Sequence, residues 1–159
     1  MLTYLRSAIA ILTIVALSHG CTRVKSPIYS YFYEVKDSKW CQTDEYFFPV
    51  AITHEVDTTA KYTVSGVIRI ASDYALRTLP IGVVIEYPDH TFKTETVKIE
   101  AQDMRKDQQG YNCTEVSFVI ADAEIFPHTG IYSFSYRHLL TDSIVSGVRE
   151  IGIWIEQHP

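Results

Sequence analysis

Apolar and polar residues alternate with a period of two along most of this chain, which is the signature of strands with one buried face. Residues 61 to 71 place Tyr62, Val64, Ile68 and Ile70 on one face, and Lys61, Thr63, Ser65 and Arg69 on the other. Residues 114 to 120 repeat the pattern, with Val116, Phe118 and Ile120 opposed to Glu115 and Ser117. Tyr132, Phe134 and Tyr136 fall together in 130 to 138, and Ile151, Ile153 and Ile155 in 147 to 156. Further strands fit 29 to 35, 46 to 53, 80 to 87 and 91 to 99, the last two joined by a turn at Pro88-Asp89-His90. About eight short strands with turn signals between them predict an all-β fold, an antiparallel β-sandwich of jelly-roll type. The competing arrangement is an α+β domain with one helix near 100 to 109.

The N-terminus breaks the alternation. Arg6 precedes an apolar stretch from Ala8 to Leu17, and Ser18-His19-Gly20 leads into Cys21. This is the layout of an export signal, with a charged start, a short apolar centre and small residues at the cleavage point. The stretch falls short of the ~20 residues that span a bilayer comfortably. A cysteine directly after the cut is what lipoprotein processing requires, because its thiol carries the diacylglycerol. The expected organisation is a cleaved signal peptide over 1–20, a lipidated tether over 21–28 and one β-sandwich domain over 29–159. Ser18 stands where a strict lipobox prefers Leu, so plain secretion is the competing outcome. Thr22-Arg23-Val24-Lys25 carries no acidic residue after the cysteine, which favours an outer-membrane protein facing the periplasm.

Composition narrows the function classes. Eleven tyrosines and seven phenylalanines among 159 residues favour strands. The formal charge of −5 and the lack of a basic run exclude an ordinary nucleic-acid binder. The chain has no G-x-S-x-G elbow, no H-E-x-x-H and no phosphate-binding loop, so no enzyme is expected. Its histidines lack ligand spacing, and neither a metal nor a cofactor is expected. Three cysteines leave an odd thiol in an exported protein. Lipidation of Cys21 accounts for it and leaves Cys41 and Cys113. A bridge between these would close a loop of about 70 residues, worth on the order of 4 kcal/mol. The alternative is two separate buried thiols.

The order of motifs along the chain resembles one family, the GldH gliding-motility-associated lipoproteins of Bacteroidetes. The similarity is distributed over most of the chain. It runs through Trp40-Cys41-Gln42-Thr43-Asp44 before the aromatic run Tyr46-Phe47-Phe48, and then through Asp57-Thr58-Thr59-Ala60-Lys61-Tyr62. Asp73-Tyr74-Ala75 stands where the family carries a proline turn, and Leu79 opens a strand ending at Tyr87-Pro88-Asp89. Pro127-His128-Thr129-Gly130-Ile131-Tyr132 and the terminal Gly147-Val148-Arg149-Glu150-Ile151-Gly152-Ile153-Trp154-Ile155-Glu156 complete it. His138-Leu139-Leu140-Thr141 departs from the family's basic segment.

The resemblance implies a non-enzymatic outer-membrane lipoprotein that acts as an interaction or scaffold component of the gliding-motility and type IX secretion apparatus. Its partners would be the membrane, through the lipid anchor, and envelope proteins of that machinery. Tyr74, Arg77, His138 and Arg149 are the candidate partner-binding residues. Membership of that phylum also implies O-glycosylation at Asp57-Thr58-Thr59 and Asp142-Ser143-Ile144, on Thr58 and Ser143. The alternative function is a glycan-capture lipoprotein, in which Trp40, Trp154 and the tyrosines would form an exposed aromatic platform.

Overall fold

The computed structural model describes residues 27–71, 78–100 and 113–158. Ten strands follow in chain order: β1 (Tyr29–Glu34), β2 (Lys39–Cys41), β3 (Tyr46–Ile52), β4 (Tyr62–Ala71), β5 (Thr78–Glu86), β6 (Phe92–Glu100), β7 (Cys113–Glu124), β8 (Gly130–His138), β9 (Ile144–Ser146) and β10 (Val148–Gln157). Every pairing is antiparallel. The first sheet runs β1-β10-β4-β7 and the second β3-β8-β5-β6, while β2 and β9 form a separate two-stranded ribbon.

With that ribbon set aside, the eight main strands occur in the orders 1-8-3-6 and 2-7-4-5. Each sheet thus interleaves early and late strands, which is the jelly-roll topology. All eight strands expected from the alternation are present. The helix considered near 100 to 109 lies, from residue 101 onward, outside the described residues, as do the signal segment and Cys21.

The core is what the alternation predicts. Tyr62, Val64, Ile68 and Ile70 face inward from β4, and Ile151, Ile153 and Ile155 are fully buried on β10. They meet Phe48, Val50 and Ile52 of β3, Tyr132, Phe134 and Tyr136 of β8, and Leu79, Ile81, Val83 and Ile85 of β5. Tyr136 stacks on Phe48 at 5.0 Å and meets the edge of Phe118 at 5.7 Å. Its hydroxyl donates to the Gly152 carbonyl of the opposite sheet. Burial raises its pKa well above the usual phenol value, so it remains a neutral donor.

Turn chemistry follows the sequence closely. At the β5–β6 hairpin, Asp89 Oδ1 accepts from the Thr91 amide at 3.0 Å and from its hydroxyl at 2.7 Å. His90 adopts a φ of 62° there. Asp57 Oδ1 accepts from the Thr59 amide at 2.8 Å and hydroxyl at 2.7 Å, fixing the loop before β4. Those bonds, the side-chain one first, hold the Asp57 carboxyl below its ordinary pKa.

Candidate interaction surfaces

Two sheet faces and two ends of the sandwich remain for function. On the outer face of the first sheet, antiparallel register aligns Glu34, Glu150, Arg69 and Glu115 in one row. Arg69 Nε donates to Glu115 at 2.9 Å, and its Nη1 pairs with Glu150. The guanidinium also lies 4.3 Å from the centre of the Phe32 ring. That ring covers Gly152, where a Cβ would stand only 2.2 Å from Phe32 Cδ1. Val67, in the same row as Phe32 and Gly152, is fully buried although it faces away from the core. This face therefore satisfies its own charges and covers Gly152 and Val67, while Val119 stands exposed on it.

The second sheet differs. Its outer face carries Phe47, Pro49 and Ala51 from β3, Ile131 from β8, Val84 from β5 and Phe92 from β6. Phe47 is 54% exposed, and Phe92 and Ile131 are each 63% exposed. Just past β8, Leu139 folds back onto this face, its Cδ2 3.1 Å from where a Cβ on Gly82 would be. Hydroxyl side chains, Ser133, Thr94 and Thr96, lie between them, and Ser135 is buried with its hydroxyl donating to Glu45. Glu86, Arg137 and Lys98 bring charge to the same face. An apolar sheet face rimmed by polar groups marks a contact surface.

The candidate residues named from sequence do not gather there. Tyr74 and Arg77 lie outside the described residues. Arg149 is exposed near the start of β10, and its carbonyl accepts from the Val35 amide at 2.8 Å. His138 is not a surface residue, which corrects the expectation. It continues the inward phase of Tyr132, Phe134 and Tyr136, is 1% exposed, and meets the edge of Trp40 at 5.2 Å. Neither ring nitrogen has a hydrogen-bond partner. Burial lowers its pKa, against smaller opposing contributions from the Trp40 backbone, Asp44 and Asp142.

Cys41, on the β2–β9 ribbon, and Cys113, at the start of the edge strand β7, are not bridged. The two halves of the pair considered from sequence therefore sit on different elements, Cys41 opposite Ile144 and Cys113 opposite Ala71. Thr58 is half-buried beside the Asp57 turn, and Ser143 is exposed with its carbonyl bound to the Gln42 amide at 2.8 Å.

The aromatic residues mostly serve the interior. Trp40 is fully buried, with Nε1 donating to the Asp44 carbonyl at 3.1 Å. Tyr29 and Tyr33 reach from β1 to the Pro49 and Phe47 carbonyls of β3, at 3.2 and 2.8 Å. Trp154 is half-buried on the first sheet. Among the described residues no group of three His, Cys, Asp or Glu side chains is placed to hold a metal ion, and no helix is long and apolar enough to cross a membrane.

These observations define a jelly-roll domain with one self-satisfied face and one exposed apolar face. A family model described as GldH lipoprotein matches residues 27–155, and the chain belongs to that family of membrane-anchored lipoproteins associated with gliding motility. No curated protein matches it. Among solved structures, the infectious bursal disease virus VP2 subviral particle is similar at 13% identity and a TM-score of 0.29, over 82% of this chain and 33% of that one. The Tobacco streak virus coat protein dimer is similar at 13% identity and a TM-score of 0.25, over 86% of this chain and 91% of that one.

Proposed function

We propose that this protein is a non-enzymatic scaffold of the gliding-motility and type IX secretion apparatus. It is held at the outer membrane by a lipid on Cys21 and faces the periplasm. The observation that carries the reading is the exposed outer face of the second sheet, where Phe47, Val84 and Leu139 give a protein partner an apolar centre with hydroxyls and the charged Glu86, Arg137 and Lys98 around it. Interface centres of this kind are apolar and aromatic, with polar groups at the rim. The basic residues after Cys21 support the periplasmic side. The glycan reading lacks its main support, because Trp40 is buried and the hydroxyls of Tyr29 and Tyr33 hold backbone carbonyls.

The test is affinity purification of the acylated, tagged protein from gently solubilised envelopes, with mass spectrometry of what co-elutes. Motility or secretion components should be recovered with the native chain and with Ser117→Glu, a substitution on the opposite face. They should be lost with Phe47→Glu. Recovery unaffected by Phe47→Glu would sink the assigned face, and absence of any envelope partner would sink the scaffold reading.

A further inference from the structure

The two ends of the sandwich are unlike. The chain enters β1 at the end where β4, β6 and β8 also begin and β3, β5, β7 and β10 finish. Four large apolar side chains stand exposed around that end: Ile28 before β1, Phe92 opening β6, Ile125 after β7 and Ile131 at the second position of β8. They flank both margins of the first sheet and, on the second, stand on the edge strand β6 and the inner strand β8. Phe92 and Ile131 are the most exposed large apolar side chains among the described residues.

We infer that this end rests on the lipid bilayer to which the chain is anchored, with Ile28, Phe92, Ile125 and Ile131 seated in its interfacial layer. The inference depends on Cys21 being the lipidated residue. Seven residue steps separate Cys21 from Ile28, a span of at most about 25 Å when fully extended. A ten-residue strand such as β4 or β10 rises roughly 33 Å. The tether is thus shorter than the domain is long, and it holds this end near the headgroups at high effective concentration. Weak apolar contacts, which would not retain a free domain, suffice under that constraint.

Charge at this end does not supply the attraction. Asp57, Glu86, Asp89, Glu95 and Glu124 outnumber Lys61 and Lys93 there, so adhesion is apolar and holds on zwitterionic lipid. The upper part of the second sheet, around Phe47 and Leu139, then stands clear of the membrane and stays open to a protein partner.

The test uses the full acylated chain in phosphatidylcholine vesicles, with p-benzoylphenylalanine replacing Ile131, Val119 or Ile144 in turn. Val119 is exposed on the outer face of the first sheet and Ile144 at the far end, so each reports a different orientation. After irradiation, lipid adducts read by mass spectrometry should be several-fold more abundant at 131 than at 119 or 144. Phe92→Glu together with Ile125→Glu should reduce the adduct at 131. Equal yields at the three positions, in protein whose mass shows acyl chains on Cys21, would overturn the orientation and leave lipidation standing. A mature chain without that mass would overturn both.

Discussion

Two glycines lie under aromatic rings on opposite faces of the same sheet, and the same substitution should affect them differently. At Gly66 an added Cβ would stand 2.2 Å from Phe118 Cζ and 2.6 Å from both Cε atoms. Phe118 is buried between this glycine and Tyr136, so the ring can retreat only by disturbing the core. Overpacking of that kind costs about 1–3 kcal/mol. Replacing a strand glycine returns roughly 0.5–1 kcal/mol of chain entropy, leaving a net loss of up to about 2.5 kcal/mol for Gly66→Ala. At Gly152 the clash with Phe32 is as short, but Phe32 is half-exposed on an edge strand and can swing toward solvent. It forfeits mainly the Arg69 contact, worth about 0.5–1 kcal/mol. Gly152→Ala should therefore be close to neutral. Urea unfolding of the two variants, repeated in a Phe118→Ala background, measures both the order and the coupling. With Phe118 truncated, Gly66→Ala should become neutral or stabilising. Equal losses at the two glycines, or additivity of Gly66→Ala with Phe118→Ala, would refute the reasoning.

Further outcomes follow from the charged and thiol groups. The lowered pKa of His138 means that the unfolded chain binds the proton more tightly. Its contribution to stability is therefore complete above the ordinary histidine range near pH 6.5, and is lost as pH falls through that value toward the folded pKa. His138→Leu should flatten this part of the urea-midpoint profile between about pH 7 and pH 5, and an unchanged slope would contradict the burial argument. Arg69→Ala leaves Glu115 and Glu150 facing each other across β4, and should cost about 1 kcal/mol at low salt, less in 1 M salt, by thermal or urea unfolding. Non-reducing peptide mapping should recover Cys41 and Cys113 as separate thiols, and a cross-linked peptide pair would contradict the placement of β2 and β7.

Most of the main strands were legible because one face of each is buried, and a slip of one residue would turn its apolar side chains outward; β1 and β6, at the sheet margins, show the pattern more weakly. The β2–β9 ribbon was not legible. Three residues are too few to show a period, and Trp40 and Val145 are buried by what packs over them. His138 suggests a surface contact by its chemistry, but its spacing from Tyr136 puts it in the inward phase. The exposed apolar residues are marked by their phase: Phe47 is out of phase with Tyr46 and Phe48, and Ile131 with Tyr132 and Phe134. The Arg69–Phe32 stack could not be read from spacing, because it depends on which strands β10 and β4 adjoin.

The inner face of β6 continues toward its open edge as Val97, Glu95 and Lys93, opposite Ile81, Val83 and Ile85. Lys93 and Glu95 pair with each other at 2.9 Å, so charge stands where an incoming strand would need an apolar side chain. At the other margin of the sheet, β3 carries Pro49, which has no amide to donate, while Tyr29 and Tyr33 occupy two of its carbonyls. Neither border of the second sheet can be lengthened by a neighbour's backbone. If many copies crowd together on one bilayer, they can meet through side-chain surfaces that separate again, but not by zipping into a continuous ribbon. A coat of this protein stays a population of individual, reversible contacts even where the anchor makes it dense.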